Sequence, residues 1–179
     1  MPLVLLIGGA RSGKSELALR LAHEQTAPVV FVATGEAGDD EMRARIEQHR
    51  RERPSIWQTV EEPLWLQKAL ETIEETSCVI VDCLTLWAAN ALERLGAADT
   101  ETQAEAAAAT AAARSGLTIA ISNEVGLGLV PDNPLGRSYR DLLGRVNTLW
   151  ADAAEHAYLL VAGRPLPLAA RDVLSELLP

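Results

Sequence analysis

The residues best suited to chemistry lie near the start of the chain. The segment fits the pattern G-x-x-x-x-G-K-[ST] and reads Gly8-Gly9-Ala10-Arg11-Ser12-Gly13-Lys14-Ser15. It follows an apolar run and opens a helical pattern, the context in which successive backbone N–H groups curl around phosphates. In such a loop Lys14 reaches the β- and γ-phosphates, and the Ser15 hydroxyl takes one Mg²⁺ position. The segment predicts a nucleotide-binding phosphate loop; the alternative is a glycine-rich turn with an incidental lysine.

Asp82 is the second candidate, because a phosphate loop also needs a carboxylate at the end of another buried strand. Cys78–Val81 is a run of four apolar residues, and Asp82 stands where that strand meets the next loop. Such a carboxylate can hold Mg²⁺ directly or through water. Aspartate is also common in helix-capping turns, and that interpretation stays open.

A third group combines arginines with a histidine. Five arginines fall within eleven residues, namely Arg43, Arg45, Arg50, Arg51 and Arg53. In the same helical pattern Met42, Ile46 and His49 share one face. A packed histidine beside a solvated charged face would explain this pattern. Alternatively, a neutral imidazole can attack phosphorus to form a phosphoramidate, with Arg45, Arg50, Arg51 and Lys14 neutralising the transferring group. His23 and His156 lack such surroundings.

The loop from Ser122 to Asn133 is rich in glycine and proline and follows a predicted strand. Ligands of open α/β sheets bind at the carboxyl ends of strands. Glu124 in this loop either orients a substrate or metal, or is an ordinary polar turn residue.

The elements that must position these residues alternate between strands and helices. We expect strands at Leu3–Ile7, Val29–Ala33, Ile56–Val60, Cys78–Val81, Leu117–Ile121 and Tyr158–Val161, with a short apolar piece at Leu166–Leu168. We expect helices at Ser15–Gln25, Asp39–Arg53, Leu64–Glu75, Leu84–Arg94, Thr100–Arg114 and Leu135–Ala154, with a tail helix in 169–179. This order predicts one α/β domain over residues 1–179, a P-loop NTPase-type fold whose mainly parallel sheet has helices on both faces.

Composition narrows the range of partners. The 179 residues carry a formal net charge of −9, and 14 of the 16 basic residues are arginine. An acidic chain is a poor binder of nucleic acids or anionic membranes, whereas arginine suits bidentate contacts with a small phosphate ligand. No apolar run is long enough to span a bilayer, and Met1–Ile7 does not resemble a signal peptide. Two cysteines, Cys78 and Cys83, are expected to be reduced thiols in a cytoplasmic protein.

Beyond these features the sequence resembles the bifunctional adenosylcobinamide kinase/adenosylcobinamide-phosphate guanylyltransferase family of cobalamin biosynthesis. The resemblance rests on the phosphate loop, on Asp40–Ile46 continuing to His49-Arg50, on Trp57–Glu61 and on Ser122–Pro131. Leu135-Gly136-Arg137, Tyr139-Arg140-Asp141 and Gly163-x-Pro165-Leu166 extend it, so that it covers Leu3 to about Leu168.

The resemblance implies two reactions. A nucleoside triphosphate phosphorylates the aminopropanol hydroxyl of adenosylcobinamide, and GTP then delivers GMP to that phosphate through a guanylylated histidine, which matches His49. It implies nucleotide contacts by Gly8 to Ser15, Thr34, Gly35, Glu36, Arg50, Arg51, Glu52, Arg53, Glu61 and Asp82. It further implies GTP, with ATP possible for the first step, together with Mg²⁺ on Ser15 and Asp82 and a homo-oligomer that the family suggests is a trimer.

Two other functions fit the residues. A plain small-molecule P-loop kinase would use His49 only for packing and would form no covalent nucleotide. A non-catalytic regulator would bind GTP and release neither phosphate nor pyrophosphate.

Overall fold

Seven strands and six helices run through residues 3–51 and 53–169, the part of the chain that the computed structural model describes, apart from the side chain of Arg45. The strands are β1 (Leu3–Gly8), β2 (Val29–Ala33), β3 (Gln58–Glu61), β4 (Cys78–Asp82), β5 (Thr118–Asn123), β6 (His156–Val161) and β7 (Arg164–Leu168). The helices are α1 (Lys14–His23), α2 (Asp40–Arg51), α3 (Leu66–Thr72), α4 (Leu84–Leu95), α5 (Ala97–Ala113) and α6 (Pro134–Ala153).

The strands form one sheet in the order β3-β2-β4-β5-β1-β6-β7. Neighbouring strands from β3 to β6 pair in parallel, and β7 alone pairs antiparallel, with β6. The prediction of a mainly parallel α/β sheet is therefore confirmed. This order sets β5 between β1, which leads into the phosphate loop, and β4, which ends at Asp82.

The central strands β1, β2, β4 and β5 are buried on both faces, as their near-continuous apolar runs require, whereas β3 and β7 at the edges are largely exposed. On one face the alternate residues Leu3, Leu5 and Ile7 of β1 belong to a core with the apolar residues of α3 to α6, including Trp87 and Trp150. On the other face Leu6 of β1 and its neighbours pack with Ala18 and Ala22 of α1. Small alanines on α1 let the helix that follows the phosphate loop lie close to the strands.

The edges of the sheet depart from the sequence expectations. The expected strand Ile56–Val60 is wrong at its start: Ile56 is 89% exposed in a turn, where Trp57 N–H donates to Pro54 O (3.0 Å), and β3 begins at Gln58. The apolar piece near Leu166 proves to be β7, which joins β6 through Ala162 (φ 50°) and Gly163 (φ 76°). Two consecutive residues with positive φ are the requirement of a tight hairpin turn between twisted strands. The expected tail helix in 169–179 lies outside the described residues, save residue 169, which is in no helix.

Arg114 fastens the connection between α3 and β4. Its guanidinium is buried and donates to the carbonyl oxygens of Leu70 (3.0 Å), Ile73 (3.2 Å), Glu74 (2.7 Å) and Ser77 (3.2 Å). Burial lowers the pKa of Arg114, opposed by the nearby charge of Glu75. The guanidinium therefore ties the end of α3 to the turn that leads into β4. No helix in the described ranges is both long and apolar enough to cross a bilayer.

Candidate active site

A cavity of about 400 Å³ opens at the carboxyl ends of β1, β4 and β5. Its floor is the phosphate loop, and its walls come from α2, from the start of α4 and from the ends of the strands. Among its lining residues are Ala10 to Glu16, Gly35, Met42, Ile46, His49, Arg53, Asp82, Cys83, Thr85, Leu86 and Asn123. This is where open α/β sheets place their ligands.

The phosphate loop has the backbone conformation that its glycines permit. Gly13 has φ 97°, and Arg11, with φ 56°, also occupies the left-handed region. A side chain on Gly8 would meet the Leu160 carbonyl oxygen at 2.5 Å, so only glycine fits the entry to the loop. Gly163 N–H donates to Ser12 O (3.0 Å), which holds the β6–β7 turn against the outside of the loop.

Lys14 is buried beneath the loop and donates to carbonyls of the loop itself. Its ammonium lies 2.9 Å from Gly8 O, 2.7 Å from Gly9 O and 3.4 Å from Ser12 Oγ. These contacts fold the loop around the charge and keep the ammonium at the cavity floor, where a phosphate oxygen can replace a carbonyl as its partner.

His49 lies on α2 and faces the same cavity. Asp39 caps this helix, because its Oδ1 accepts from Met42 N–H at 2.7 Å. Met42, Ile46 and His49 all line the cavity, as their shared helical face predicts. The imidazole is partly buried, and the cavity has Lys14 and Asp82 on its other sides. The helix thus brings a histidine to the same cavity as the phosphate loop, which precedes it by about 35 residues.

Arg53 follows α2, and its guanidinium stacks on the ring of Phe31 in β2. Its guanidinium carbon lies 3.5 Å from the centre of the Phe31 ring. Burial lowers the pKa of Arg53, while the negative charge of Asp82 opposes that change. Its Nε is buried and has no hydrogen-bond partner within the described part of the chain. A second, smaller cavity of about 260 Å³ shares Ser15, His49, Arg53 and Asp82 with the larger one and extends among apolar side chains, including Leu19, Phe31, Ile80 and Ile121.

Thr34 holds the backbone next to Asp82 instead of facing the cavity. Its buried hydroxyl accepts from Cys83 N–H (2.8 Å) and donates to Cys83 O (2.7 Å), beside the cis peptide bond between Asp82 and Cys83. Asn90 Nδ2 in turn donates to Thr34 O (2.9 Å). The Thr34 hydroxyl therefore fixes where the Asp82 carboxylate stands.

Replacing Thr34 with valine is expected to lower the free energy of unfolding by about 1–3 kcal/mol, because a buried N–H and C=O then lose their shared partner. Urea unfolding of Thr34→Val against Thr34→Ser measures this, since serine retains the hydroxyl. If Thr34→Val is as stable as the parent and only its KM for nucleotide rises, while Thr34→Ser keeps the parent KM, the hydroxyl contacts the nucleotide instead.

Several of the expected nucleotide contacts pair with other side chains at the surface. Glu36 pairs with Arg94, Arg50 pairs with Glu61, and Arg51 lies 3.4 Å from Glu47. Of the described residues that line the larger cavity, none is Thr34, Glu36, Arg50, Arg51 or Glu61. Glu52 lies outside the described residues. The contact of these residues with a nucleotide stays a prediction.

The structure adds residues to the site that sequence reasoning gave no role. Cys83, Thr85 and Asn123 line the cavity beside Asp82. Burial, with the charge of Asp82 as a smaller cause, raises the pKa of the Cys83 thiol to about 11. In the sequence these residues are marked only by their position, because each of them comes shortly after an apolar run that predicts a strand.

The hydrogen bonds of Glu124 are those of a polar turn residue. Its carboxylate accepts from Gly126 N–H within its own loop, and its backbone N–H donates to Gly8 O (3.2 Å). It connects the end of β5 to the entry of the phosphate loop.

The donor set suits Mg²⁺. Ser15 and Asp82 line both cavities and offer hard oxygen atoms beside the phosphate loop. Mg²⁺ is commonly held by one or two protein oxygens together with substrate phosphates and water. In the described ranges no group of three or more His, Cys, Asp and Glu could form an all-protein metal cage.

The family model and the similar proteins all point to one family. Residues 4–168 match the family model described as cobinamide kinase / cobinamide phosphate guanyltransferase. The chain is 44% identical over 165 residues to the bifunctional adenosylcobalamin biosynthesis protein CobP of Pseudomonas aeruginosa, covering 92% of this chain and 95% of the relative. It is 37% identical over 175 residues to CobU of Escherichia coli K12, which bears the same description, covering 90% and 96%. Among solved structures, an ATPase of a bacterial type III secretion system superposes with a TM-score of 0.54 at 14% identity, covering 98% of this chain and 54% of that one, a likeness of fold alone.

Proposed function

This chain belongs to the cobinamide kinase / cobinamide phosphate guanylyltransferase family, and on that premise we propose that both reactions of the family use the one cavity, with GMP carried on His49. The enzyme phosphorylates adenosylcobinamide and then converts adenosylcobinamide phosphate to adenosylcobinamide-GDP. The observation that carries the proposal is that His49 lines the same cavity as Lys14 and Asp82.

In the first reaction the hydroxyl oxygen of the substrate bonds to the γ-phosphorus of a nucleoside triphosphate. The bond from that phosphorus to the β–γ bridging oxygen breaks, the nucleoside diphosphate leaves, and the hydroxyl proton passes to solvent. Backbone N–H groups of the phosphate loop hold the phosphates, and Lys14 balances the charge on the transferring group. Either ATP or GTP can serve as donor, because a phosphate loop binds the phosphates that the two nucleotides share.

In the second reaction a neutral ring nitrogen of His49 attacks the α-phosphorus of GTP. The bond to the α–β bridging oxygen breaks, pyrophosphate leaves, the ring loses its N–H proton to solvent, and GMP remains on His49 as a phosphoramidate. An oxygen of adenosylcobinamide phosphate then attacks the same phosphorus, the phosphorus–nitrogen bond breaks as the ring takes up a proton from solvent, and the neutral imidazole leaves. Met42, Ile46 and His49 line the cavity from the same side of α2.

The smaller cavity supplies a place for the guanine base. It begins at His49 and Arg53 and is lined by the apolar side chains of Leu19, Phe31 and Ile80. A planar base attached through its ribose to a phosphate on His49 reaches this space, where stacking and apolar contact stabilise it. We therefore assign the guanylyl group to the smaller cavity and the triphosphate tail to the larger one.

Mg²⁺ supplies charge neutralisation for both reactions when it is bound by Ser15, Asp82 and the phosphates. The corrin ring needs more surface than a cavity of about 400 Å³ offers. We assign it to a site completed by a second subunit of a homo-oligomer, which the family suggests is a trimer.

The proposal is tested by intact-protein mass spectrometry after incubation with GTP and Mg²⁺, followed by gel filtration to remove free nucleotide. One added GMP, stable at neutral pH and released by acid, is expected because a phosphorus–nitrogen bond hydrolyses in acid. A protein that phosphorylates adenosylcobinamide but never gains GMP is a kinase without the covalent step, and a protein that binds GTP without releasing any product is a regulator.

A further inference from the structure

Asn123 falls within the Ser122–Pro131 segment, but the sequence assigns it no role of its own. It is the last residue of β5, the strand between β1 and β4, and its register partner is Gly8 at the entry to the phosphate loop. Ile121, two residues earlier, is the partner of Asp82. Alternation along the strand puts Ile121 and Asn123 on the same face, and both line the larger cavity. The Asn123 carboxamide therefore stands between the phosphate loop and the Asp82 carboxylate.

A buried hydrogen-bond network fixes the backbone of Asn123 from both sides. Its N–H donates to Thr85 Oγ1 (2.8 Å), and its C=O accepts from Asn147 Nδ2 (3.1 Å). Asn147 Oδ1 accepts from the buried Ser122 hydroxyl (2.6 Å), and the Thr85 carbonyl accepts from the Tyr139 hydroxyl (3.0 Å). Burial raises the pKa of Tyr139, so that its hydroxyl remains a donor. Polar groups inside a core are costly unless every one is bonded, and here they fix the end of β5.

The chemistry of a carboxamide fits this position. Its NH₂ group donates two hydrogen bonds and its oxygen accepts, all without a net charge. A donor fixed in advance beside a transferring group stabilises the charge that develops there without reorganisation during the reaction. Lys14 approaches the phosphates from the loop, and Asp82 stands on the other strand. Asn123 ends β5, which lies between the strand before the phosphate loop and the strand that ends at Asp82.

We propose that Asn123 is a further catalytic residue, whose NH₂ group donates to an oxygen of the γ-phosphoryl group during its transfer to the substrate hydroxyl. The proposal rests on the proposed function above, because it assumes that the γ-phosphorus is attacked in this cavity. It assigns to Asn123 a role in the kinase reaction and not in the attack of His49 on the α-phosphorus. Substitutions of Asn123 and of His49 are therefore expected to impair different reactions.

The test compares both reactions in Asn123→Asp, which has nearly the same shape but no NH₂ group, and in Asn123→Ala. We expect the kcat of adenosylcobinamide phosphorylation to fall about a hundredfold in both variants, the usual effect of removing one donor to a transition state. In Asn123→Ala, which adds no charge, we expect the GMP adduct to form at a rate within about threefold of the parent, because the attack on the α-phosphorus uses no contact with Asn123. The matched control is Asn133→Asp: the Asn133 side chain caps α6 by accepting from Gly136 N–H, and aspartate caps equally well.

Unchanged phosphorylation in both variants overturns the proposal. An equal fall of both reactions together with a lower melting temperature overturns it too, because Asn123 would then only maintain the fold. The GMP adduct of the parent protein is measured in the same series. Its absence contradicts the proposed function, whereas its presence with unchanged phosphorylation in the variants contradicts only the role of Asn123.

Discussion

Replacing His49 with alanine is expected to abolish the GMP adduct while the kinase reaction continues. In the proposed mechanism the imidazole is the attacking group of the second reaction only, and the Cys83 thiol of the same cavity stays protonated and weakly nucleophilic, since burial raises its pKa to about 11. Removing a covalent nucleophile lowers turnover by about a thousandfold or more. Phosphorylation of adenosylcobinamide should stay within about threefold of the parent rate, since the proposed transfer of the γ-phosphoryl group uses Lys14 and not His49.

The chain offers matched controls, because it contains three histidines. His23 lies on α1 with its ring centre 5.0 Å from that of Trp57, and His156 is exposed at the start of β6. His23→Ala and His156→Ala are expected to take up GMP as the parent does. Undiminished labelling of His49→Ala, or loss of the adduct in a control variant alone, shows that GMP is attached elsewhere.

The part of the site that could be predicted depends on neighbours along the chain. The phosphate loop is specified by local backbone requirements, which Gly8 and Gly13 meet. The face shared by Met42, Ile46 and His49 follows from helical spacing. For the same reason the apolar runs predicted the strands of the sheet centre, whereas the strand expected at Ile56 was wrong, because a turn closed by Pro54 leaves that side chain in solvent.

The remaining part depends on which strands become neighbours. The pattern of residues along the chain does not show that β5 lies between β1 and β4. The catalytic role proposed for Asn123 depends on this order of the strands. Similarly, the resemblance implies a nucleotide contact for Thr34, which stays a prediction, but no local pattern shows that its hydroxyl bonds to Cys83, which lies 49 residues away. The stacking of Arg53 on Phe31 likewise joins two segments that their local patterns do not relate.

Replacing Lys14 with methionine is expected to impair both reactions, in contrast to the selective effects of His49 and Asn123. Methionine retains the unbranched stem and removes the ammonium that lies under the loop. Because the same triphosphate tail binds there in each reaction, we expect phosphorylation and GMP uptake each to fall about a hundredfold or more. The loop also loses the donor that bonds to the Gly8 and Gly9 carbonyls, so that the free energy of unfolding should decrease by about 1–2 kcal/mol.

The other lysine of the chain is the matched control. Lys68 is exposed on α3, with its ammonium 5.2 Å from the centre of the Trp65 ring, and Lys68→Met should leave both rates and the melting temperature unchanged. Steady-state phosphorylation, the rate of GMP uptake and thermal unfolding are measured on the same preparations. Normal GMP uptake with lost phosphorylation in Lys14→Met would mean that the triphosphate binds differently in the two reactions. In that case the GTP that His49 attacks would bind at a second position, and the proposal of a single shared cavity would be wrong. Equal losses in both reactions would show that both depend on the one phosphate loop.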